Sequence, residues 1–362
     1  MALLEIRDLT VDYLPRGRRV RAVDEVSLDV ESGEYFGIVG ESGCGKTTLA
    51  RAILRLLPEI ATISGGEIRY KSRDLARMSA KELRPLRWSE ISFIPQSAMS
   101  AMDPVYRVGV QIIEAIRAHE DISREVAHQR CVELFHMVGL DPQRLEDYPH
   151  QFSGGMRQRA LIAMALALNP DLIIADEPTT ALDVIVKDRI LFEMEKVQRQ
   201  LKKSLLLVTH DISVVSENCD RVAVMYAGKV VEQGDTAGIM SAPFHPYTMG
   251  LRNAFPNLDE SSQELISIPG APPDLGDPPA GCRFHPRCPF AEARCRSEQP
   301  PLLEVGEGHF SACHFPERAG EFRDAAARPQ TWAAKAPELA GVPATTPTLD
   351  EPSASGFPAS RE

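Results

Sequence analysis

YFGIVGESGCGKTT occupies residues 35–48. Its opening, Tyr35–Val39, is an apolar run of strand length. Gly40-Glu41-Ser42-Gly43-Cys44-Gly45-Lys46-Thr47 then fits the pattern G-x-x-x-x-G-K-[ST], with Thr48 behind it. A helical run, Thr47–Leu57, follows and stops at Pro58. Strand, glycine-rich loop and helix in this order make a phosphate cradle. The glycines let backbone N–H groups turn inward at a helix N-terminus, where the dipole favours anions. Lys46 is placed to reach the β- and γ-phosphates of a nucleotide, and the Thr47 hydroxyl to bind Mg²⁺. Cys44 fills a variable position of the loop, where a small side chain suffices.

Around this loop, short runs rich in Val and Ile alternate with helical patterns, which predicts an α/β domain. Leu172–Ala175 and Leu205–Thr209 read as buried strands. Arg221–Met225 and Lys229–Glu232 read as a hairpin turning at Ala227-Gly228. Val126–Val138 reads as a helix that buries Cys131. Leu172–Ala175 runs straight into Asp176 and Glu177. Acids at the end of a buried strand are costly unless they meet a cation or do chemistry. Alone, the pair also fits a strand leaving into solvent. Beside a phosphate loop, Asp176 suits the Mg²⁺ sphere and Glu177 the general base that polarises an attacking water. Upstream, Phe152-Ser153-Gly154-Gly155-Met156 leads into the apolar helix Ala160–Leu168. Its serine and glycines fit either a second anion site or a plain serine cap.

Composition sets outer limits. The chain has 362 residues, with 40 Lys and Arg against 51 Asp and Glu, for a net charge of −11. That balance argues against a nucleic-acid binder, whose footprint is basic. No apolar run approaches the roughly 18–20 residues that cross a bilayer. The opening MALLEIRDLTVDY lacks the basic start and apolar centre of a signal peptide, so a soluble intracellular protein is expected.

With these elements in place, the chain resembles the ATP-binding subunits of ABC transporters over roughly residues 3–235. The resemblance implies an ABC-type P-loop ATPase domain, with a RecA-like core and a helical subdomain. Further residues match the family in order. Tyr13, 27 residues ahead of Gly40, matches the aromatic that stacks on adenine, and equally fits a strand aromatic in the core. Gln96 matches the glutamine that touches Mg²⁺ and the attacking water. Ala181-Leu182-Asp183 matches the loop coupling two ATP sites, and His210 the histidine that contacts the γ-phosphate. In the family, Ser153, Gly154, Gly155 and the fourth position, here Met156 where many members carry Gln, contact the γ-phosphate held by the opposite subunit. Glu177, His210, Gln96 and Lys46 are thereby the expected catalytic set, with Mg²⁺ held by Thr47, Gln96 and Asp176. The resemblance further implies a partner cassette, either a second copy or a homologue. It also implies two membrane permease subunits docked against about Ile94–Val108, an external binding protein, and a peripheral place at the cytoplasmic face of the inner membrane.

The rest divides by composition into an extension, 239–318, after an ATPase domain of 1–238, and an Ala/Pro-rich tail, 319–362, expected to be disordered. The seven cysteines are uneven, with Cys282, Cys288, Cys295 and Cys313 crowded together and Cys219 apart from them. Four thiols in a chain without an export signal favour a metal site over disulfides. This segment resembles the extension of the oligopeptide/dipeptide transporter ATPases, through Pro243-Phe244-His245-Pro246-Tyr247-Thr248 and Ile268-Pro269-Gly270. That resemblance implies peptide cargo, with nickel, opines or oligosaccharides carried by other relatives, and a [4Fe-4S] cluster on the tetrad, with Zn²⁺ or plain structural thiols as alternatives. A soluble ABC ATPase acting on ribosomes or DNA is the competing class.

Overall fold

The computed structural model describes residues 2–96, 101–180, 183–254 and 266–335. Its strands are β1 (Ala2–Tyr13), β2 (Val20–Glu31), β3 (Tyr35–Val39), β4 (Ala61–Tyr70), β5 (Arg73–Asp74), β6 (Ile91–Ile94), β7 (Leu172–Asp176), β8 (Ser204–Thr209), β9 (Arg221–Tyr226), β10 (Lys229–Asp235), β11 (Leu303–Gly306) and β12 (His309–Ser311). They form a four-stranded sheet in the order β2-β1-β4-β5 and an eight-stranded sheet in the order β11-β12-β10-β9-β3-β8-β7-β6. The stretch from β9 to β6 is parallel. Beyond β9 the pairing turns antiparallel.

The continuous apolar runs follow from burial of both sheet faces. Tyr35, Val39, Leu205 and Leu207 face one core, which contains the helices Arg124–Met137 and Gly154–Leu166. Their neighbours Phe36, Ile38, Leu206 and Val208 face a second core, completed by Leu4, Ile6, Leu9 and Val26 of the antiparallel sheet. The hairpin between β9 and β10 turns where expected. Ala227 and Gly228 both have positive φ, as a tight two-residue turn requires.

Three features differ from expectation. The antiparallel sheet was not legible, because β1 and β2 pair with register shifts that break the two-residue alternation. The helix after the phosphate loop is Lys46–Ile53, ending before Leu57. There Arg87 donates to the Leu54 carbonyl from Nε (3.1 Å) and Nη2 (2.7 Å), drawing the chain away from the helix. The disordered tail is corrected in its first part: Ala319–Ala326 and Pro329–Ala333 are helices. Phe322 and Trp332, both about 1% exposed, supply the apolar burial that the Ala/Pro composition concealed. Residues 336–362 lie outside the described residues.

The extension is also more integrated than a small appendage. β12 pairs with β10 through Glu232↔Ser311 and Gln233↔Phe310, lengthening the ATPase sheet. Tyr247, Phe284, Cys288, Phe322 and Trp332 belong to the same core as β3 and β8. The 238/239 boundary falls inside the helix Thr236–Ser241.

Candidate active site

The phosphate loop is built by close approach. A Cβ on Gly40 would stand 2.1 Å from the Met225 carbonyl oxygen, and one on Gly45 would stand 2.1 Å from that of Ala22. Gly43 and Gly45 have φ of +80° and +105°. A side chain at Gly40 or Gly45 would push the loop off its strands, and one at Gly43 would meet open space but hold a left-handed backbone. Within the loop, buried Lys46 donates from Nζ to the carbonyls of Gly40 (2.7 Å) and Glu41 (2.9 Å). Its ammonium is thus held against the backbone of the loop. Cys44 is buried, which pushes its thiol up, so it behaves as a packing residue.

Thr47 and Asp176 meet across the sheet. Thr47 Oγ1 donates to Asp176 Oδ1 at 2.9 Å, while Asp176 Oδ2 is buried without a partner. Burial pushes the Asp176 carboxyl up, against the Thr47 hydrogen bond. An orphaned carboxylate oxygen beside a hydroxyl, at the foot of a phosphate loop, is a donor set that fits Mg²⁺.

Glu177 gathers the rest. Gln96 Nε2 donates to Oε2 at 2.9 Å, Thr180 Oγ1 donates to Oε2 at 2.8 Å, and His210 Nδ1 lies 3.1 Å from Oε1. Burial raises its carboxyl, but the hydrogen bonds from Thr180 and His210 outweigh that and hold it below the usual carboxylate range. Glu177 is therefore ionised at neutral pH. Its φ is +46°, a left-handed conformation of the kind that concentrates at functional sites. Its N–H donates to the Val208 carbonyl at 2.8 Å, which holds the strained turn against β8.

Expected catalytic residues Lys46, Gln96, Glu177 and His210 thus converge with Thr47 and Asp176. Tyr13 Oη lies 3.2 Å from Thr48 Oγ1, so the aromatic borders the same loop. Thr180 was not singled out in the sequence; its place three residues after Glu177 was the only signal. Among the described residues, no hydrogen bond joins Ser153, Gly154, Gly155, Met156 or Asp183 to this cluster. They form a second surface. Ser153 Oγ accepts from the Met156 N–H at 3.3 Å, capping the helix Gly154–Leu166, and Asp183 Oδ1 accepts from the Val186 N–H at 3.0 Å, capping Val184–Leu201. A Cβ on Gly155 would come within 2.5 Å of Val186 Cγ1, so the glycine lets these two helices touch. Ala181 and Leu182 lie outside the described residues.

Beside Gln96 an apolar groove of about 330 Å³ runs between Leu54, Trp88, Phe93, Pro95, Leu161 and Met164. It borders the stretch where membrane subunits were expected, of which 97–100 lie outside the described residues.

The four extension cysteines line one cavity of about 20 Å³, together with Phe284, Phe290 and Phe322. Burial pushes Cys282 up to about 11 and Cys313 up to about 12. The donor set suits a thiolate-bound metal. The placement is looser than expected, since among the described residues no group of three or more Cys, His, Asp or Glu is set to hold a metal ion. A single tetrahedral ion needs all its sulfurs about 2.3 Å from one point.

The ABC transporter family matches residues 23–180, and the oligopeptide/dipeptide transporter C-terminal region matches residues 231–295. The dipeptide transport ATP-binding protein DppD of Escherichia coli is 44% identical over 318 residues, covering 87% of this chain and 97% of that protein. The oligopeptide transport ATP-binding protein OppD of Bacillus subtilis is 44% identical over 312 residues, covering 85% of this chain and 87% of that protein. Among solved structures, an ATP-binding cassette in a dimeric post-hydrolysis state with ADP and Pi superposes with a TM-score of 0.59. It is 28% identical and covers 64% of this chain and 98% of that one.

Proposed function

This chain belongs to the ABC transporter family of ATP-binding proteins, and we propose that it is the ATP-hydrolysing subunit powering import of di- and oligopeptides. The match of residues 231–295 to the oligopeptide/dipeptide transporter C-terminal region carries the cargo reading. The names of the full-length relatives agree with it.

The chemistry follows from the geometry above. Lys46 and the loop N–H groups bind the β- and γ-phosphates. Thr47 and the free oxygen of Asp176 would hold Mg²⁺, which neutralises charge developing on the phosphate oxygens. Glu177 accepts a proton from the water that attacks the γ-phosphorus as its bond to the β,γ-bridging oxygen breaks, giving ADP and Pi. Gln96 and Thr180 orient the Glu177 carboxylate, and His210 binds beside it toward the γ-phosphate.

Ser153–Met156 and Asp183 stand apart from this cluster, so each ATP lies between two cassettes, the second being another copy or a homologue. Among the described residues no helix is long and apolar enough to cross a membrane. We assign the pore to two permease subunits seated on the groove beside Gln96, with an external binding protein delivering cargo and this chain peripheral at the cytoplasmic face of the inner membrane. For the cysteine tetrad we propose a [4Fe-4S] cluster, with Zn²⁺ as the alternative. The support is four thiols lining one cavity, two of them buried and two half-buried.

A tagged chain captured from gently solubilised membranes is expected to bring down two polytopic proteins and a second cassette. Cells lacking the chain should lose uptake of a labelled dipeptide, restored by the native chain and not by Glu177→Gln. Loss of nickel, opine or oligosaccharide uptake instead would reassign the cargo, and capture of ribosomes or DNA alone would overturn the transport reading. Anaerobically purified chain should carry iron and sulfide, lost in Cys288→Ser; zinc without iron selects the alternative, and neither metal refutes the site.

A further inference from the structure

The stretch between Cys282 and Cys288 reaches back to the phosphate loop. Arg287, about 3% exposed, forks onto Glu41 of the loop, with Nη1 2.5 Å from Oε2 and Nη2 2.9 Å from Oε1. Nε donates to the Pro269 carbonyl at 2.9 Å, and the guanidinium lies over the Tyr226 ring at 5.8 Å. The Glu41 N–H donates to Tyr247 Oη at 2.8 Å, so both the backbone and the side chain of Glu41 are held from the C-terminal part of the chain. The other end of the same stretch braces the loop from behind. Arg283 binds Asp24 and the Ala227 carbonyl, and the neighbouring Gly228 N–H donates to the Cys44 carbonyl at 2.9 Å.

A carboxylate in a loop that binds a polyanion is a liability, since like charges repel strongly where water is excluded. The Glu41 carbonyl, like that of Gly40, also accepts from Lys46 Nζ. A planar, bidentate guanidinium both cancels the carboxylate and fixes its direction.

We propose that Arg287 is a positioning residue for nucleotide binding: by neutralising and pinning Glu41, it sets the affinity of the phosphate loop for ATP. The segment carrying Cys282 and Cys288 thereby governs the ATP site, and whatever loosens that segment weakens nucleotide binding before any chemistry occurs.

The test is equilibrium titration of the full chain with a fluorescent ATP analogue at fixed Mg²⁺. Arg287→Ala is expected to raise the Kd about tenfold, within the range of coupled neighbours. Arg287→Lys, which keeps the charge and loses the fork, should fall between. Adding Glu41→Gln to Arg287→Ala should recover most of the lost affinity, because the uncompensated carboxylate is gone; a packing defect would not be rescued this way. A Kd within twofold of native for Arg287→Ala, or a double variant as weak as Arg287→Ala, overturns the proposal. Should Arg287→Ala fail to fold, Arg287→Lys alone decides: it keeps the positive charge and loses the two-pronged grip on Glu41, so a Kd raised by more than about twofold is expected, and a Kd within twofold of native overturns the proposal.

Discussion

Gln96 Nε2 donates to Glu177 Oε2 at 2.9 Å, although 81 residues separate the two in sequence. The contact ties the end of β6 to the end of β7, so the residue beside the apolar groove also holds the proposed base.

Glu177→Gln removes the proton acceptor and keeps the shape of the side chain. Turnover is expected to fall by about 10²–10⁴, the usual contribution of a general base, with ATP still bound. A phosphate-release assay beside size-exclusion chromatography in ATP checks both parts: hydrolysis lost, and a long-lived dimer formed. Ordinary turnover would remove Glu177 from that role.

Gly45→Ala tests the loop itself. The new Cβ would meet the Ala22 carbonyl at 2.1 Å and sit at a φ of +105°. Nucleotide binding should be abolished and the fold destabilised by about 2–3 kcal/mol, from backbone strain and steric conflict. Thermal melting with and without ATP measures each: a lower midpoint, and no upward shift on adding nucleotide.

Asp12 gives a pH dependence of defined sign. Burial raises its carboxyl, but hydrogen bonds led by Arg19, with Ser64 and Arg21, outweigh that and bring it to about 2 from the usual 3.8. A depressed carboxyl stabilises the fold above its unfolded value and loses that contribution as pH falls through the folded one. The loss therefore runs from about pH 4 down to about pH 2. Asp12→Asn should cost on the order of 1–2 kcal/mol at neutral pH, the arginines being partly exposed, and the variant's stability should fall less steeply below pH 4. Urea titrations across that range provide the comparison; parallel curves for both proteins would remove Asp12 as the source.

Trp332→Ala probes the end of the described chain. The indole is about 1% exposed, donates from Nε1 to the Ala326 carbonyl at 2.9 Å, and lies against Gly250. A loss of about 3–5 kcal/mol is expected from the cavity and the released hydrogen bond, read by chemical denaturation. A change below about 1 kcal/mol would mean that the two terminal helices do not belong to the fold's cooperative core.

The parts of the site that were legible share one property: their chemistry is contiguous. Gly40–Thr47 announces a phosphate cradle because strand, turn and helix N-terminus follow within a dozen residues. Asp176 and Glu177 announce themselves because acids ending an apolar run are conspicuous. Gln96 and His210 were found only through resemblance, since a lone polar residue after a strand has no local signature. The hairpin at Ala227-Gly228 was readable because its turn is local, whereas β1 and β2 were hidden by their own bulges.

Local rules thus sufficed for the phosphate loop, for the acidic pair Asp176 and Glu177, and for the strands that carry them. They could not reach the pairing of β12 with β10, the burial of Trp332 within an Ala/Pro-rich stretch, or the grip of Arg287 on Glu41 across 246 residues. Strand register and buried ion pairs depend on which distant surfaces exclude water together. That is a property of the packed chain, and no short window of residues carries it.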